Sequence, residues 1–274
     1  MTRISLAPHD QAIELRDNIG IGDDLHVLFG AAKAGVTSPR QVVTIASEPD
    51  GSFSLQRNGD PAWAGLTRGE LLDLLQDQVS QALITDMTSA VVLHAGVVSV
   101  NDRAILLAGP TGSGKTSLAA WFVANGFKYV SDDVVAIVEA GSSAIGFPRA
   151  MVVKADAAER TEALLASAGA STIRTSTSTM IGLPPDRVAA GSPLPCGLII
   201  FPKYEAGAAL RICNDPRAGR IAPDGMQPQC TKSGGSRFQR SQYARPLGAG
   251  VHLALWRFRP APRRCRSPDA SPSR

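Results

Sequence analysis

The stretch Gly109-Pro-Thr-Gly-Ser-Gly-Lys-Thr116 has the residue types and spacing best suited to chemistry in this chain, and it fits GxxxxGK[ST] at every position. Gly109, Gly112 and Gly114 let the backbone fold back, so that N–H groups from Gly112 through Ser113 to Lys115 converge on an anion at the positive end of the following helix. Pro110 carries no N–H and, with Thr111, shapes the loop. Lys115 is placed to neutralise β- and γ-phosphates, and the Thr116 hydroxyl to ligate Mg²⁺. The loop therefore calls for ATP and Mg²⁺. A plain turn between strand and helix accounts less well for a full match in a strand–loop–helix context.

Asp132 and Asp133 follow Lys115 by 17 and 18 residues. One helix and one return strand bring them back to the sheet edge where ligands sit in α/β proteins. One carboxylate can hold the metal, and the other can accept a proton from an attacking hydroxyl. Adjacent side chains on a strand point to opposite faces, so both reach one site only at a bulge or a strand end. His94 lies in the apolar run Val91-Val-Leu-His-Ala-Gly-Val-Val-Ser-Val100. A lone histidine there is ordinarily a core residue, but its strand should be hairpinned to the one feeding the loop, which would set it beside the γ-phosphate.

These residues need elements to carry them. Asn101-Asp-Arg103 is too short for a crossover, so the run ending at Val100 and Ala104-Ile-Leu-Leu-Ala108 should form an antiparallel hairpin. Ser117 to Ala124 reads as a helix stopped by Asn125-Gly126, and Phe127 to Ser131 as a strand whose pattern continues through Val134 to Glu139. Upstream, His26 to Phe29 and Gln41 to Ala46 read as strands separated by turn signals such as Pro49-Asp-Gly51. Leu71, Leu72, Leu75, Val79 and Leu83 then recur at helical spacing behind Thr67-Arg-Gly-Glu70, a capping box. Downstream, Ala155 to Ala168 reads as a helix, Ser171 to Thr179 as a mobile Ser/Thr loop, and Cys196 to Phe201 as a buried strand closed by Pro202. Arg149 and Lys154 read as surface charge, although either is able to contact phosphate or acceptor.

With 274 residues, 44% hydrophobic, the chain suffices for one sizeable core or one domain plus an extension. Residues 1–216 carry 16 Lys/Arg against 22 Asp/Glu, a net −6, whereas 217–274 carry 12 against 2, a net +10. The basic balance belongs to the tail, which argues against nucleic-acid binding by the folded part. That tail also holds 7 of the 19 prolines, and apart from Val251 to Trp256 it lacks amphipathic period. It reads as disordered or as the product of a frameshift. Cys196, Cys213, Cys230 and Cys265 stand 17, 17 and 35 apart with no CxxC pair, so no zinc site is expected. No apolar run approaches the roughly 20 residues of a spanning helix. The N-terminus lacks a secretory pattern. A cytoplasmic protein without membrane contact is expected.

Leu93-His-Ala-Gly-Val-Val-Ser-Val100, the loop, Asn125-Gly126 and Val130-Ser-Asp-Asp133 together resemble the C-terminal catalytic domain of HPr kinase/phosphorylase. That family shares an antiparallel strand pair before the loop with phosphoenolpyruvate carboxykinase. The likeness covers residues 90–154 and continues more weakly to 212. It implies ATP-dependent phosphorylation of a serine in a protein or peptide, with Asp132 as base, Asp133 and Thr116 at the metal, and His94 and Lys115 in the catalytic site. After the Asp pair, that family carries a Glu/Arg/Gly-rich strand, where this chain reads Gly146-Phe-Pro-Arg-Ala-Met-Val-Val-Lys154. The chain looks more like divergent HPr-kinase-related proteins, some associated with peptide-modification systems.

The expected architecture is thus an α/β P-loop kinase domain of the HPr kinase type over 89–216. It has a mixed sheet with an antiparallel hairpin before the loop, a small mixed α/β region at 1–88, and a basic tail at 217–274. The expected partner is a protein or peptide bearing the acceptor serine, an HPr-like phosphocarrier or a precursor peptide, and related kinases assemble as homo-oligomers. A nucleotide-binding regulatory protein without transfer activity and a small-molecule kinase are the alternatives.

Overall fold

The computed structural model describes residues 19–30, 41–60, 62–82, 90–138, 143–147, 149–189 and 192–205, and the backbone alone of 2–5, 12–17, 83–85, 211–213, 238–239 and 251–258. The chain opens with β1 (Thr2–Ser5) and β2 (Ala12–Asp17), followed by α1 (Gly22–Phe29), β3 (Gln41–Ser47), β4 (Phe53–Arg57) and β5 (Trp63–Leu66). These five strands form one sheet in the order β1-β2-β3-β4-β5. His26 to Phe29, expected as a strand, is helical. Asp23 and Asp24 occupy the first turn of α1, and Leu25, Leu28 and Phe29 fall on one buried face. Helix α2 (Arg68–Thr85) begins at the expected capping box. Thr67 N–H donates to Glu70 Oε2 at 2.9 Å and Glu70 N–H to Thr67 Oγ1 at 3.3 Å.

Next come β6 (Val91–Leu93), β7 (Ala95–Val100), β8 (Arg103–Ala108), α3 (Lys115–Ala124), β9 (Lys128–Ser131), β10 (Val135–Val138) and β11 (Ser143–Gly146). The expected hairpin is formed by β7 and β8, with Val100 opposite Arg103. Asn101 and Asp102 both take positive φ, 48° and 55°, as a two-residue turn matching strand twist requires. The expected single strand through His94 is instead broken there. Val91–Leu93 pairs with β10, while β7 pairs with β8 and β9. The strand expected to continue through Val134 is likewise broken and changes partners: β9 pairs with β7, but β10 pairs with β6 and β11.

The chain continues through β12 (Met151–Lys154), α4 (Ala155–Leu165), β13 (Ser171–Arg174), β14 (Ser178–Gly182) and β15 (Leu194–Tyr204). The Ser/Thr stretch expected as a loop is the hairpin of β13 and β14, and with β12 it makes a three-stranded sheet. Its hydroxyls find partners. Thr175 Oγ1 accepts from the Ser178 N–H at 3.0 Å, and Thr177 and Ser178 donate to Asp73 of α2 at 3.0 and 3.1 Å. Strand β15 does not stop at Pro202 but runs to Tyr204. It lies parallel to β8, making the main sheet mixed, in the order β6-β10-β11-β15-β8-β7-β9. β16 (Arg211–Cys213) and, in the tail, β17 (Phe238–Gln239) pair with β18 (Val251–Phe258), which lies antiparallel to β15. The remainder of 217–274, where disorder was expected, lies outside the described residues.

Both faces of the main sheet are buried. Val98, Ile105 and Leu107 pack with Leu118, Phe122 and Val123 of α3, while Val97, Ala104 and Leu106 pack with Val130, Val135 and Leu194 on the opposite face. A third cluster joins Leu28, Val43, Leu55, Leu71 and Leu75 from the first 88 residues to Ala136, Ile145, Phe147 and Met180. The N-terminal region and the rest of the fold thus share one core. Contact there is close enough to require glycine: a Cβ on Gly182 would sit 2.2 Å from the Val27 carbonyl oxygen of α1.

Candidate functional site

The glycine-rich loop leaves β8 and enters α3 at the sheet edge. Gly114 caps the helix at φ 95°, a left-handed conformation that turns the loop back over the helix start. Tyr204, at the end of β15, donates its N–H to the Ser113 carbonyl at 3.2 Å, which pins the loop to the neighbouring strand. Thr111 is exposed at the loop tip, whereas Ser113 and Lys115 are buried. Two features of the loop suit an anion. The buried Ser113 hydroxyl has no partner. Lys115 Nζ, with no acidic partner in hydrogen-bond reach among the described residues, donates to the Gly109 and Pro110 carbonyls at 2.9 and 3.2 Å. Burial lowers its pKa, against the pull of Asp133 and Asp132.

Thr116, one residue on, donates its hydroxyl to Asp132, at 3.0 Å to Oδ2 and 3.3 Å to Oδ1. Asp132 closes β9 and is 1% exposed. Its pKa is pushed up to about 7, first by burial and then by the charge of Asp133, while Arg149, the Thr116 hydrogen bond and Lys115 act in the opposite direction. A hydroxyl and a carboxylate brought together at the mouth of a glycine-rich loop form a donor set suited to Mg²⁺. Among the described residues, no group of three or more His, Cys, Asp or Glu is arranged to hold a metal ion without such help.

Asp133 points elsewhere. Its φ of 73° is unusual for a residue with a side chain, and it centres a tight turn in which Val134 N–H donates to the Asp132 carbonyl at 3.0 Å. Ala95 N–H fixes the Asp133 carbonyl at 3.2 Å. Ser131, buried beneath, receives the Phe147 N–H at 3.2 Å and donates to the Val134 carbonyl. The turn supplies the strand end that brings two adjacent acids to the same sheet edge while aiming their carboxylates apart. The Asp133 carboxylate accepts from Arg149 Nη2 at 2.8 Å and lies 3.8 Å from His94 Nε2. His94, which as an ordinary core residue would be enclosed, is 48% exposed at its side chain, because the chain leaves the sheet between β6 and β7.

The sequence-derived residues thus converge on one edge, with Thr116 meeting Asp132 rather than Asp133. Arg149 is the correction. Expected on the surface, it is 7% exposed at its side chain and also approaches Asp77 of α2, Nη1 to Oδ1 at 3.7 Å. An isolated charge inside the apolar stretch from Ala144 to Val153 was the available signal. Lys154 is exposed, as expected. Tyr129 also escaped sequence reasoning: it is buried beside Asp132, and burial raises its pKa well above the ordinary value.

By its fold the chain is an α/β protein built on a mixed sheet. No protein-family model, no curated protein and no solved structure matches it. Among the described residues, no helix is long and apolar enough to cross a membrane.

Proposed function

We propose that this protein is an ATP-dependent kinase that phosphorylates a serine hydroxyl of a protein or peptide. The observation that carries the reading is the hydrogen bond from Thr116 to Asp132 at the mouth of the loop, 3.0 Å long. It joins the two metal-side groups that a phosphoryl-transfer site requires.

The backbone N–H groups of Gly112 to Lys115, the Ser113 hydroxyl and Lys115 would bind the phosphates, with Lys115 turning from the loop carbonyls to the anion. Thr116 and Asp132 would hold Mg²⁺. When bound, the metal and nucleotide supply charge neutralisation and the phosphoryl group. The resemblance assigned Asp132 as base and Asp133 as metal ligand, but the contacts favour the exchange. Asp132 is enclosed against Thr116, whereas Asp133 is 36% exposed beside His94. Asp133 would take the proton from the acceptor hydroxyl as that oxygen bonds to phosphorus and the bond to ADP breaks, with His94 flanking the entering group. The acceptor is a protein or peptide serine, reached from the cytoplasm without nucleic acid or membrane.

Incubation of the full chain with γ-labelled ATP and a pooled library of serine-containing peptides tests the reading. The wild type should label peptides, and Lys115→Ala should lower labelling by roughly 10³-fold. Labelling that survives Lys115→Ala, or a wild type that labels nothing, overturns it.

A further inference from the structure

Arg149 lies outside the motifs that define the site, yet its guanidinium is buried in contact with two carboxylates from different parts of the chain. Taking a guanidinium out of water costs several kcal/mol unless its partners compensate. Those partners are unequal. Asp77 is 73% exposed at its side chain and 3.7 Å away, so it contributes little, whereas Asp133 is bonded at 2.8 Å. The carboxylate that compensates Arg149 is thus the one that is 36% exposed beside His94. The bond has a directional result: it occupies Oδ2 of Asp133 and leaves Oδ1 on the side of His94, 3.8 Å from Nε2.

We propose that Arg149 is a positioning residue that clamps one oxygen of Asp133 so that the other faces the acceptor, held in place by the N-terminal region on which its own segment is anchored. The inference rests on the kinase reading above and deepens it, since it makes the N-terminal region part of the catalytic geometry. The clamp is itself anchored. Ala150 N–H donates to the Leu28 carbonyl of α1 at 2.8 Å, so the residue after Arg149 is fixed to the same region.

The test uses the full chain and the labelled-ATP peptide assay, with ATP affinity measured separately by calorimetry. Arg149→Met should lower kcat by roughly 10²-fold with ATP affinity changed less than about threefold, because Asp133 is displaced and the phosphate-binding loop is not. Millimolar guanidinium ion should restore part of the loss, and Arg149→Lys should fall between. Independently of activity, Arg149→Met should speed amide exchange at Ala95, the donor to the Asp133 carbonyl, by about tenfold while Leu106 in β8 stays protected. Unchanged kcat in Arg149→Met overturns the role, as does a loss of kcat, ATP affinity and Leu106 protection together without guanidinium rescue. If Arg149→Met does not fold, Arg149→Lys decides by the same split between kcat and affinity. A wild type that labels no peptide brings down the kinase reading and this role with it.

Discussion

Asp132 and Asp133 are neighbours in the chain, but their carboxylates serve two different rims of the sheet edge. On the loop rim, Asp132 is 1% exposed, bonded to Thr116, and has its proton affinity raised by burial. On the open rim, Asp133 is 36% exposed, held by a buried arginine, and faces a histidine that is 48% exposed. One residue at positive φ separates them. A tight turn can therefore divide a pair of identical side chains into an enclosed, metal-side acid and an accessible one. Backbone strain at such a position persists only where surrounding bonds over-determine it, and here the Ala95, Ser131 and Arg149 contacts do so.

Removing the enclosed acid should have the larger effect. Asp132→Asn should reduce phosphoryl transfer by roughly 10³-fold and abolish the dependence of ATP binding on Mg²⁺, measured by calorimetry with and without the metal. The same variant has a signature in stability. The unfolded chain releases this proton near 3.8 and the folded chain only near 7, so across that window the folded state holds more protons and stability falls as pH rises, levelling off above it. Asp132→Asn should therefore gain on the wild type in metal-free urea melts between about pH 4 and about pH 7. A gap that stays constant would show that the two rims do not differ in enclosure.

Removing the accessible acid should separate the rims cleanly. Asp133→Asn should lower kcat by roughly 10²-fold while leaving Mg²⁺-dependent ATP affinity near that of the wild type. Equal losses in both quantities would merge the rims into one. The smallest effect concerns the scaffold behind them. Gly182→Ala drives a Cβ into the Val27 carbonyl of α1, and should cost about 2 kcal/mol in chemical denaturation with only a modest change in turnover.

Much of the loop rim was legible in the sequence because its signals are local. The eight-residue loop, the helix stop at Asn125-Gly126 and the capping box of Thr67 and Glu70 depend on spacing along one segment. The open rim was less legible because it depends on where a strand breaks and changes partners. Nothing in the apolar run from Val91 to Val100 marks His94 as the break between two strands, since β-branched residues suit either side. The division of labour between the acids followed from a single backbone angle, which Asp tolerates without announcing it. Arg149 was misread because an arginine is ordinarily exposed, and its partner Asp77 is one of several acids on α2. The Ser/Thr stretch was misread for the opposite reason: its hydroxyls suggested a loop, but Asp73 and the Thr175 turn satisfy them.

The core that links Leu28, Leu55 and Leu71 to Ala136, Ile145 and Met180 has a thermodynamic corollary. Apolar surface buried jointly by two stretches of chain is exposed when either one leaves, so the melting of one destabilises the other. Part of the apolar surface behind the edge that carries the two acids is therefore covered by the first 88 residues, and loosening those residues withdraws support from the site.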